Sequence, residues 1–318
     1  MTTPTPQIVT LTHPSTGAQA RILVSQGCNC FDLHLPARER LHSVLWAHPN
    51  FASGQERPSG SGIPLLFPFP GRIARGNFSW NGRTYQLPIN DRLGNAIHGF
   101  VYDRPWRMVK QSDTMLTAEF QASVDDPQLL ELWPADFRIV ATYTLTEAAL
   151  QMDYSWDNPG DAPLPCGLGT HPYFRLPLGG DQPPACEISL PVTRQWELQN
   201  LIPTGKQLDL PSFLGPQPTR YESITADHAL TGLIYRDQRA TATIHDPIGG
   251  TKLTIDFSQP FRECVVYTPP HREAICIEPL TSVPCAIQLQ GQAIDTGLMV
   301  LQPGEQRTAS VRCALAAE

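Results

Sequence analysis

Proline is the residue that most constrains how this chain can fold, because it occurs 32 times among 318 residues. That is roughly twice the average usage of about 5%. Each proline lacks a backbone N–H and clashes with the preceding helical turn, so prolines spread this widely argue against long helices and a helical bundle. Charged residues make up 17% and hydrophobic residues 41% of the chain, which is typical of a compact folded protein.

Strand-like alternation appears wherever a pattern can be counted. Hydrophobic residues occupy every second position in 116–124, 137–145 and 150–156, and again in 253–257. This period of two predicts half-buried antiparallel strands, the first three in series. Near the end, the turn residues Gln302–Glu305 predict a closing hairpin between 298–301 and 309–315.

Helices and long linkers have little support in the pattern. Only Asp126–Trp133 has a helical cluster, and Pro134 limits it to about two turns. Proline and glycine concentrate in 158–167 and 177–185, which we interpret as loops because strand patterns continue on both sides. The sequence therefore predicts an all-β fold, a large antiparallel sandwich with few short helices.

Charge and cysteine content restrict the partners and the compartment. The net charge is −7 without any block of lysines or arginines, so nucleic acid and anionic membranes are poor partner candidates. The first residues lack the pattern of a secretion signal, and no apolar run reaches about 18 residues, which predicts a soluble cytoplasmic protein. The eight cysteines are too dilute for a disulfide framework, and the pair Cys28 and Cys30 lacks a second pair at zinc spacing.

Arg72 and His98 are polar residues set among apolar neighbours and glycine. Arg72 follows a proline-rich run and Gly71, and His98 stands in the stretch Asn95–Phe100. A buried structural histidine and a surface arginine whose stem packs on the sheet would explain both residues without any function.

His171 and Glu278 are the residues best suited to acid and base chemistry. His171 precedes a proline and two aromatic residues, and its ordinary pKa of about 6.5 suits a general acid. Alternation from Ile275 places Glu278 on the same face as Cys276, near the end of an apolar strand. Burial there would raise the carboxyl pKa. A structural pairing of Glu278 with Arg272 or Arg262 is the alternative.

Taken together, these segments resemble the aldose 1-epimerase (galactose mutarotase-like) family in order, spacing and composition. The resemblance rests on four stretches and covers nearly the whole chain, and it implies one domain over residues 1–318. These stretches are Phe67–Phe78, Asn95–Phe100, Thr170–Phe174 and Ile277–Ala286. The fold that the resemblance implies is a large antiparallel β-supersandwich with the sugar in a cleft on one curved sheet.

The resemblance also implies roles for single residues. Glu278 matches the family's catalytic base and His171 its acid, whereas Arg72 and His98 match positions that contact the substrate. A further acidic sugar-binding position matches Asp227 loosely, with Asp246 as the fallback. No cofactor and no metal are expected.

The implied reaction interconverts the α and β anomers of an aldose. A base removes the proton of the C1 hydroxyl while an acid protonates the ring oxygen, and the ring opens to an aldehyde. After rotation about C1–C2, reclosure reverses both transfers. We expect the two groups on opposite sides of the acetal, each contributing about 10²–10⁴-fold to the rate.

The sequence leaves the substrate and the assembly open. Relatives that act on hexose 6-phosphates have an arginine directly after the His-Gly-Phe stretch, whereas here Val101–Asp103 intervenes before Arg104. The acidic Asp103 favours free sugars, although Arg75 and Arg104 keep a hexose-6-phosphate 1-epimerase as the alternative. The predicted partner is a small sugar, and the protein is expected to be a monomer or homodimer.

Two other classes compete with the epimerase. A non-catalytic carbohydrate-binding sandwich would use Trp106, Trp156 and Tyr173 as stacking surfaces, but gives His171 and Glu278 no joint role. A glycosidase needs two carboxylates about 5–9.5 Å apart, and no second acid stands in a motif like that of Glu278.

Overall fold

The computed structural model describes residues 6–292 and 294–318. Strands dominate the chain, and helices are short. In chain order the first strands are β1 (Ile8–Thr12), β2 (Gln19–Leu23), β3 (Asn29–Ala37), β4 (Arg40–Ser43), β5 (Leu65–Leu66), β6 (Arg72–Ile73), β7 (Asn77–Trp80), β8 (Arg83–Gln86), β9 (Ala96–Ile97), β10 (Arg107–Gln111), β11 (Met115–Gln121), β12 (Arg138–Leu145) and β13 (Ala149–Asp157).

The second half continues in the same way. The strands are β14 (Leu164–Cys166), β15 (Gly169–Thr170), β16 (Tyr173–Arg175), β17 (Glu187–Ser189), β18 (Arg194–Gln199), β19 (Ile202–Asp209), β20 (Thr219–Arg220), β21 (Asp227–Thr231), β22 (Arg239–Asp246), β23 (Thr251–Ser258), β24 (Glu263–Tyr267), β25 (Ala274–Leu280), β26 (Met299–Leu301) and β27 (Gln306–Ala317). The α-helices are α1 (Ala122–Asp125), α2 (Leu129–Leu132) and α3 (Ala286–Leu289), and short 3₁₀ turns lie between strands.

Two large sheets carry most of the architecture. A nine-stranded sheet has the order β10-β11-β12-β13-β27-β23-β22-β17-β20. An eight-stranded sheet has the order β19-β18-β21-β24-β25-β15-β5, with β16 also paired to β25. A four-stranded sheet, β1 to β4, and the small ladders β6–β9, β7–β8 and β14–β26 complete the fold. These ladders are antiparallel, so the predicted all-β antiparallel fold class is confirmed.

The core lies where the apolar faces of the sheets meet. In β11 and β12 buried and partly exposed residues alternate along the strand, as the period of two requires. The buried face of β11 to β13 includes Phe120, Tyr143 and Trp156, which are fully or almost fully buried. Burial of large apolar side chains contributes about 1.5–3 kcal/mol each, so this face adds substantially to stability.

The three consecutive strands predicted from alternation are confirmed as β11, β12 and β13, and the helical cluster is confirmed as α2. The first strand ends earlier than predicted, because α1 begins at Ala122 and leaves Val124 56% exposed. Side chains replace the strand ladder there: the Asp125 carboxylate accepts the Gln121 N–H at 2.7 Å, and Asp136 accepts the Ser123 N–H at 2.9 Å.

The predicted closing hairpin is wrong. The chain does turn between Gln302 and Glu305, but β26 pairs with β14, whereas β27 pairs with β13 and β23. The Asn158 side-chain amide donates to the carbonyl of Leu301, the last residue of β26, at 2.9 Å. A turn motif determines where the chain reverses, but not which strand each arm pairs with. The stretch predicted as one loop, 158–167, likewise contains β14.

No helix in residues 6–292 or 294–318 is long and apolar enough to cross a membrane.

Candidate active site

The floor of the site is one face of the eight-stranded sheet, and strand register explains which residues meet there. β25 pairs with β15 at Gly169↔Leu280 and with β16 at Tyr173↔Cys276. Both pairs belong to one antiparallel register, which places His171 directly across from Glu278. Directly opposed residues have Cβ atoms about 4.5–5.5 Å apart, so the predicted acid and base are cross-strand neighbours.

The same register extends to the strands on the other side of β25. Glu278 is opposite Val265 of β24, and Cys276 is opposite Tyr267. Tyr267 is in turn opposite Asp227 of β21. Because opposed residues share a face, Asp227 belongs to the same row as Tyr267 and Cys276. This row lies next to the one that holds Glu278 and His171.

Arg72 and His98 reach the site from the small ladder of β6 and β9. Arg72 is opposite Ile97, and the His98 N–H donates to the Gly71 carbonyl at 2.8 Å. His98 has a positive φ of 73°, a backbone conformation that costs energy outside glycine and often marks a functional site. The following Gly99 also has a positive φ, and a Cβ there would collide with the backbone of Phe67.

These elements enclose a cavity of about 200 Å³. Six of the ionisable side chains that line it are Arg57, Arg72, His98, His171, Asp227 and Glu278. Five of these six are the residues that the sequence analysis named. The fold thus brings together side chains that are dispersed along more than two hundred residues of sequence.

His171 and Glu278 form a contact pair deep in this cavity. The His171 Nε2 and Glu278 Oε1 atoms are 3.3 Å apart, and both side chains are less than 10% exposed. We expected the acid and base on opposite sides of the acetal, but the structure places them side by side. The C1 hydroxyl and the ring oxygen of a sugar are bonded to the same carbon, so neighbouring groups can serve both oxygens.

Burial shifts both pKa values of this pair toward the uncharged forms. Burial lowers the pKa of His171 to about 3. Burial, and then the negative charge of Asp227, raise the pKa of Glu278 well above its usual value, while Arg72 opposes that shift. Both shifts favour the uncharged forms, a protonated Glu278 carboxyl group and a neutral His171 imidazole.

Two ring nitrogens in the site lack partners. The Nδ1 atoms of His98 and His171 are buried and have no hydrogen-bond partner among the described residues. The two rings meet edge to face with centroids 5.3 Å apart, and His171 stacks on Tyr173 at 4.9 Å. Buried polar atoms nearly always find a partner, so unsatisfied nitrogens beside a cavity point to a polar ligand. Burial, and then the charges near it, lower the pKa of His98, so this ring too is neutral.

The two aspartates that the sequence left open lie in different places. Asp227 lines the cavity, and burial raises its pKa. Asp246 lies elsewhere, where its carboxylate accepts the N–H groups of Gly179, Gly180 and Gly249 at 2.8 Å each. Those bonds lower the pKa of Asp246 despite its burial, as expected for a carboxylate that organises loop backbone. Asp227, which the resemblance matched only loosely, is thus the second carboxyl residue of the cavity lining.

Arg57 and Asp91 are site residues that the sequence analysis missed. Asp91 accepts the Arg72 Nε–H at 2.8 Å and also accepts two backbone N–H groups of its own loop, at Leu93 and Asn95. Arg57 lines the cavity while remaining exposed, and its Nε donates to Ser59 Oγ at 3.2 Å. Asp91 and Arg57 lie in two separate polar loops. Nothing in the sequence around either residue distinguishes it from an ordinary surface residue.

The alternative role for Glu278, a structural ion pair with Arg272 or Arg262, is excluded. Arg272 donates to the carbonyls of Ile224 and Tyr221, and Arg262 forms a two-bond pair with Asp295. Neither arginine pairs with Glu278. The Glu278 carboxyl group instead contacts His171 in the cavity.

Comparison with known proteins bears on what this cavity is for. The family model described as aldose 1-epimerase matches residues 7–314. The chain belongs to the aldose 1-epimerase family. The resemblance inferred from the four motifs is thereby confirmed.

Members of this family and their structural relatives match at low identity. The galactose mutarotase of Rattus norvegicus is 28% identical over 201 residues, covering 59% of this chain and 57% of that protein. The chain spans about half the length of the first curated relatives that it matches. A galactose mutarotase-like protein from Clostridium acetobutylicum has a TM-score of 0.84 at 21% identity, over 99% of both chains.

An aldose epimerase homologue from C. elegans has a TM-score of 0.80 at 16% identity, over 98% of this chain and 99% of that one. Structures this distant in sequence establish the fold alone. The predicted supersandwich of the galactose mutarotase type is confirmed by them.

One set of atoms at the floor of this cavity could hold a metal ion. The His171 nitrogen, the Cys276 sulfur and a Glu278 oxygen all lie within 4.8 Å of one another. Cys276 lies beneath the cavity surface and is fully buried.

Proposed function

We propose that the protein is an isomerase that interconverts the α and β anomers of a free aldose. The observation that carries this proposal is the His171–Glu278 pair, 3.3 Å apart on the floor of a cavity lined by further polar side chains. Family membership supports an epimerase of the mutarotase kind. Arg72, His98 and Asp227 would hold the sugar hydroxyls, and no step calls for a cofactor or a metal.

The reaction needs the pair in its charged form. A proton first passes from Glu278 to His171 along their contact, which yields a carboxylate and an imidazolium. The carboxylate then takes the proton of the C1 hydroxyl while the imidazolium protonates the ring oxygen. The C1–ring oxygen bond breaks and the C1 carbonyl forms, so the pair returns to its uncharged form.

The open-chain state therefore coincides with the protonation state that burial favours. Rotation about C1–C2 turns the other face of the carbonyl toward the former ring oxygen. Reclosure runs the two proton transfers backward and releases the other anomer. Burial favours the same uncharged form in the free pair, so one proton transfer from Glu278 to His171 must precede ring opening.

The positions of the other arginines support a free sugar. Arg104 donates to Asp126 at 2.7 Å and to Asp103 at 2.8 Å, and it lies outside the cavity lining. Arg75 is exposed and also lies outside the lining. The two arginines that kept the phosphate alternative open in the sequence therefore do not face the cavity.

Arg57 is the observation that favours a hexose 6-phosphate as second candidate. It lines the cavity and is exposed, and its positive charge lowers the pKa of both His98 and His171 as a minor contribution after burial. An anionic substituent distant from C1 could pair with it. Arg57→Ala would then lower kcat/KM for the phosphosugar and leave the free sugar unaffected.

A non-catalytic binding module has less support from the structure. Trp106 and Trp156, proposed as stacking surfaces, are 4% and 0% exposed and pack in the core. Of the three aromatic residues considered, only Tyr173 lines the cavity. A binding role also leaves the contact between acid and base without a purpose.

The test is equilibration of pure α anomers followed by polarimetry or NMR, across glucose, galactose, pentoses and hexose 6-phosphates. We expect acceleration without release of reducing sugar from glycosides, and loss of the acceleration in Glu278→Gln. Glu263→Gln is a matched control, because Glu263 is a buried carboxyl of the same sheet outside the cavity lining. Full activity in Glu278→Gln would show that the assignment of the base is wrong.

A further inference from the structure

We propose that His171, Cys276 and Glu278 form a zinc-binding site on the cavity floor, and that zinc bound there inhibits the enzyme. Nothing in the proposed reaction uses Cys276, yet its thiol lies within 4.8 Å of both proton-transferring groups. Imidazole nitrogen, thiolate sulfur and carboxylate oxygen are the donor atoms that zinc prefers in proteins. The metal would act as an inhibitor and not as a cofactor.

The sheet register makes this set of ligands rigid. Cys276 and Glu278 are two residues apart on β25 and share a face, and His171 is held across from Glu278 by the pairs on either side of it. Ligand atoms around tetrahedral zinc lie about 3.3–3.8 Å apart for bonds of about 2.0–2.3 Å. His171 Nε2 and Glu278 Oε1 are already 3.3 Å apart, so closing the site requires movements of about 1 Å by side chains alone.

The cavity holds carboxyl groups as well as arginines. The carboxyl groups are those of Asp227 and Glu278, and the arginines are Arg57 and Arg72, so the donor atoms and not the net charge select the metal. Cys276 lies between Tyr173 and Tyr267 in its row and is fully buried. The charge of a zinc ion would stabilise the thiolate and the carboxylate, and the thiol proton would be released to solvent.

Three protein ligands leave one position of a tetrahedral zinc ion unfilled, and two of the three, His171 and Glu278, line the cavity. A water molecule or a sugar hydroxyl would occupy that position. Zinc would occupy the acid and the base at once, so neither could transfer a proton. Inhibition of the epimerase rests on the proposed function, whereas binding of the metal does not.

The experiment is a titration of the metal-free full-length protein with Co²⁺, which reports thiolate ligation through a thiolate-to-cobalt charge-transfer band. We expect one ion per chain, a band that Zn²⁺ displaces, and no band in Cys276→Ser. Cys264→Ser is the matched control, since Cys264 is a buried cysteine of the neighbouring strand that points to the opposite face of the sheet. It should keep the band and the affinity.

Calorimetry with Zn²⁺ then measures affinity in the same variants, and polarimetry measures inhibition. Cys276→Ser should weaken zinc binding by at least about 10-fold. His171→Asn should weaken it similarly while keeping the band, which covers the case that Cys276→Ser does not fold. Absence of the band in the wild type, or its persistence in a folded Cys276→Ser, would overturn the site. Zinc binding by a protein without epimerase activity would refute the proposed function and leave the site standing.

Discussion

The contact between His171 and Glu278 makes a double-mutant cycle the most informative perturbation. Glu278→Gln keeps the shape of the side chain but removes the base, and His171→Asn removes the acid while retaining a polar amide. Each group is expected to contribute about 10²–10⁴-fold to the rate. Each single variant should therefore lose about 3–6 kcal/mol of transition-state stabilisation, at about 1.4 kcal/mol per tenfold.

The geometry predicts that these losses do not add. The two groups exchange one proton across 3.3 Å, and ring opening needs both transfers. Without His171 no acid protonates the ring oxygen, and without Glu278 no base accepts the proton of the C1 hydroxyl. Either loss alone therefore blocks ring opening. The double variant should therefore be within about tenfold of the slower single variant, whereas independent groups would lose about 10⁴–10⁸-fold.

The assay is the first-order rate of anomer equilibration, measured by polarimetry at saturating and at limiting sugar, with the uncatalysed rate subtracted. Circular dichroism and thermal unfolding confirm that each variant is folded. His42→Asn is a matched control for the histidine change, because His42 is buried and bonded to the carbonyls of Ala37 and Leu178 away from the cavity. Losses that multiply in the double variant would refute the shared-proton mechanism.

Other predictions concern pH and the neighbouring carboxyl groups. Asp227→Asn removes a negative charge that raises the pKa of Glu278 after burial, so the alkaline limb of kcat/KM, where the pair loses its one proton, should move to lower pH; an unmoved limb in a pH–rate profile would contradict this. Because the pKa of His171 falls to about 3 on folding from an ordinary value of 6.5, the unfolded chain binds the extra proton, and stability should fall as pH drops through that window. Denaturant titrations of His171→Asn should show a smaller loss over the same range. Glu278 has the opposite sign: its pKa is raised above 4.5, so wild-type stability should decline as pH rises beyond that value, and Glu278→Gln should flatten the decline. Asp246→Asn should cost about 1–3 kcal/mol of unfolding free energy, with unchanged kcat per folded molecule, because Asp246 lies outside the cavity.

Much of the fold could be predicted because local patterns report it directly. Alternation along 137–145 and 150–156 depends on which side chains are apolar, and it predicted β12 and β13 to within a residue or two. The closing hairpin failed for a physical reason. Strand partners are chosen by contacts remote in sequence, here between β26 and β14, and no turn motif encodes them.

The candidate site shows the same division. The sequence by itself determined the all-β fold class. Through motif resemblance it also identified Arg72, His98, His171 and Glu278 as candidate site residues. Tertiary structure alone decided between Asp227 and Asp246, added Arg57 and placed the acid beside the base. The reason is that register between strands sets which side chains oppose each other, and burial then sets their pKa values. Both depend on the assembled sheet, and neither can be read from the residues in order along the chain.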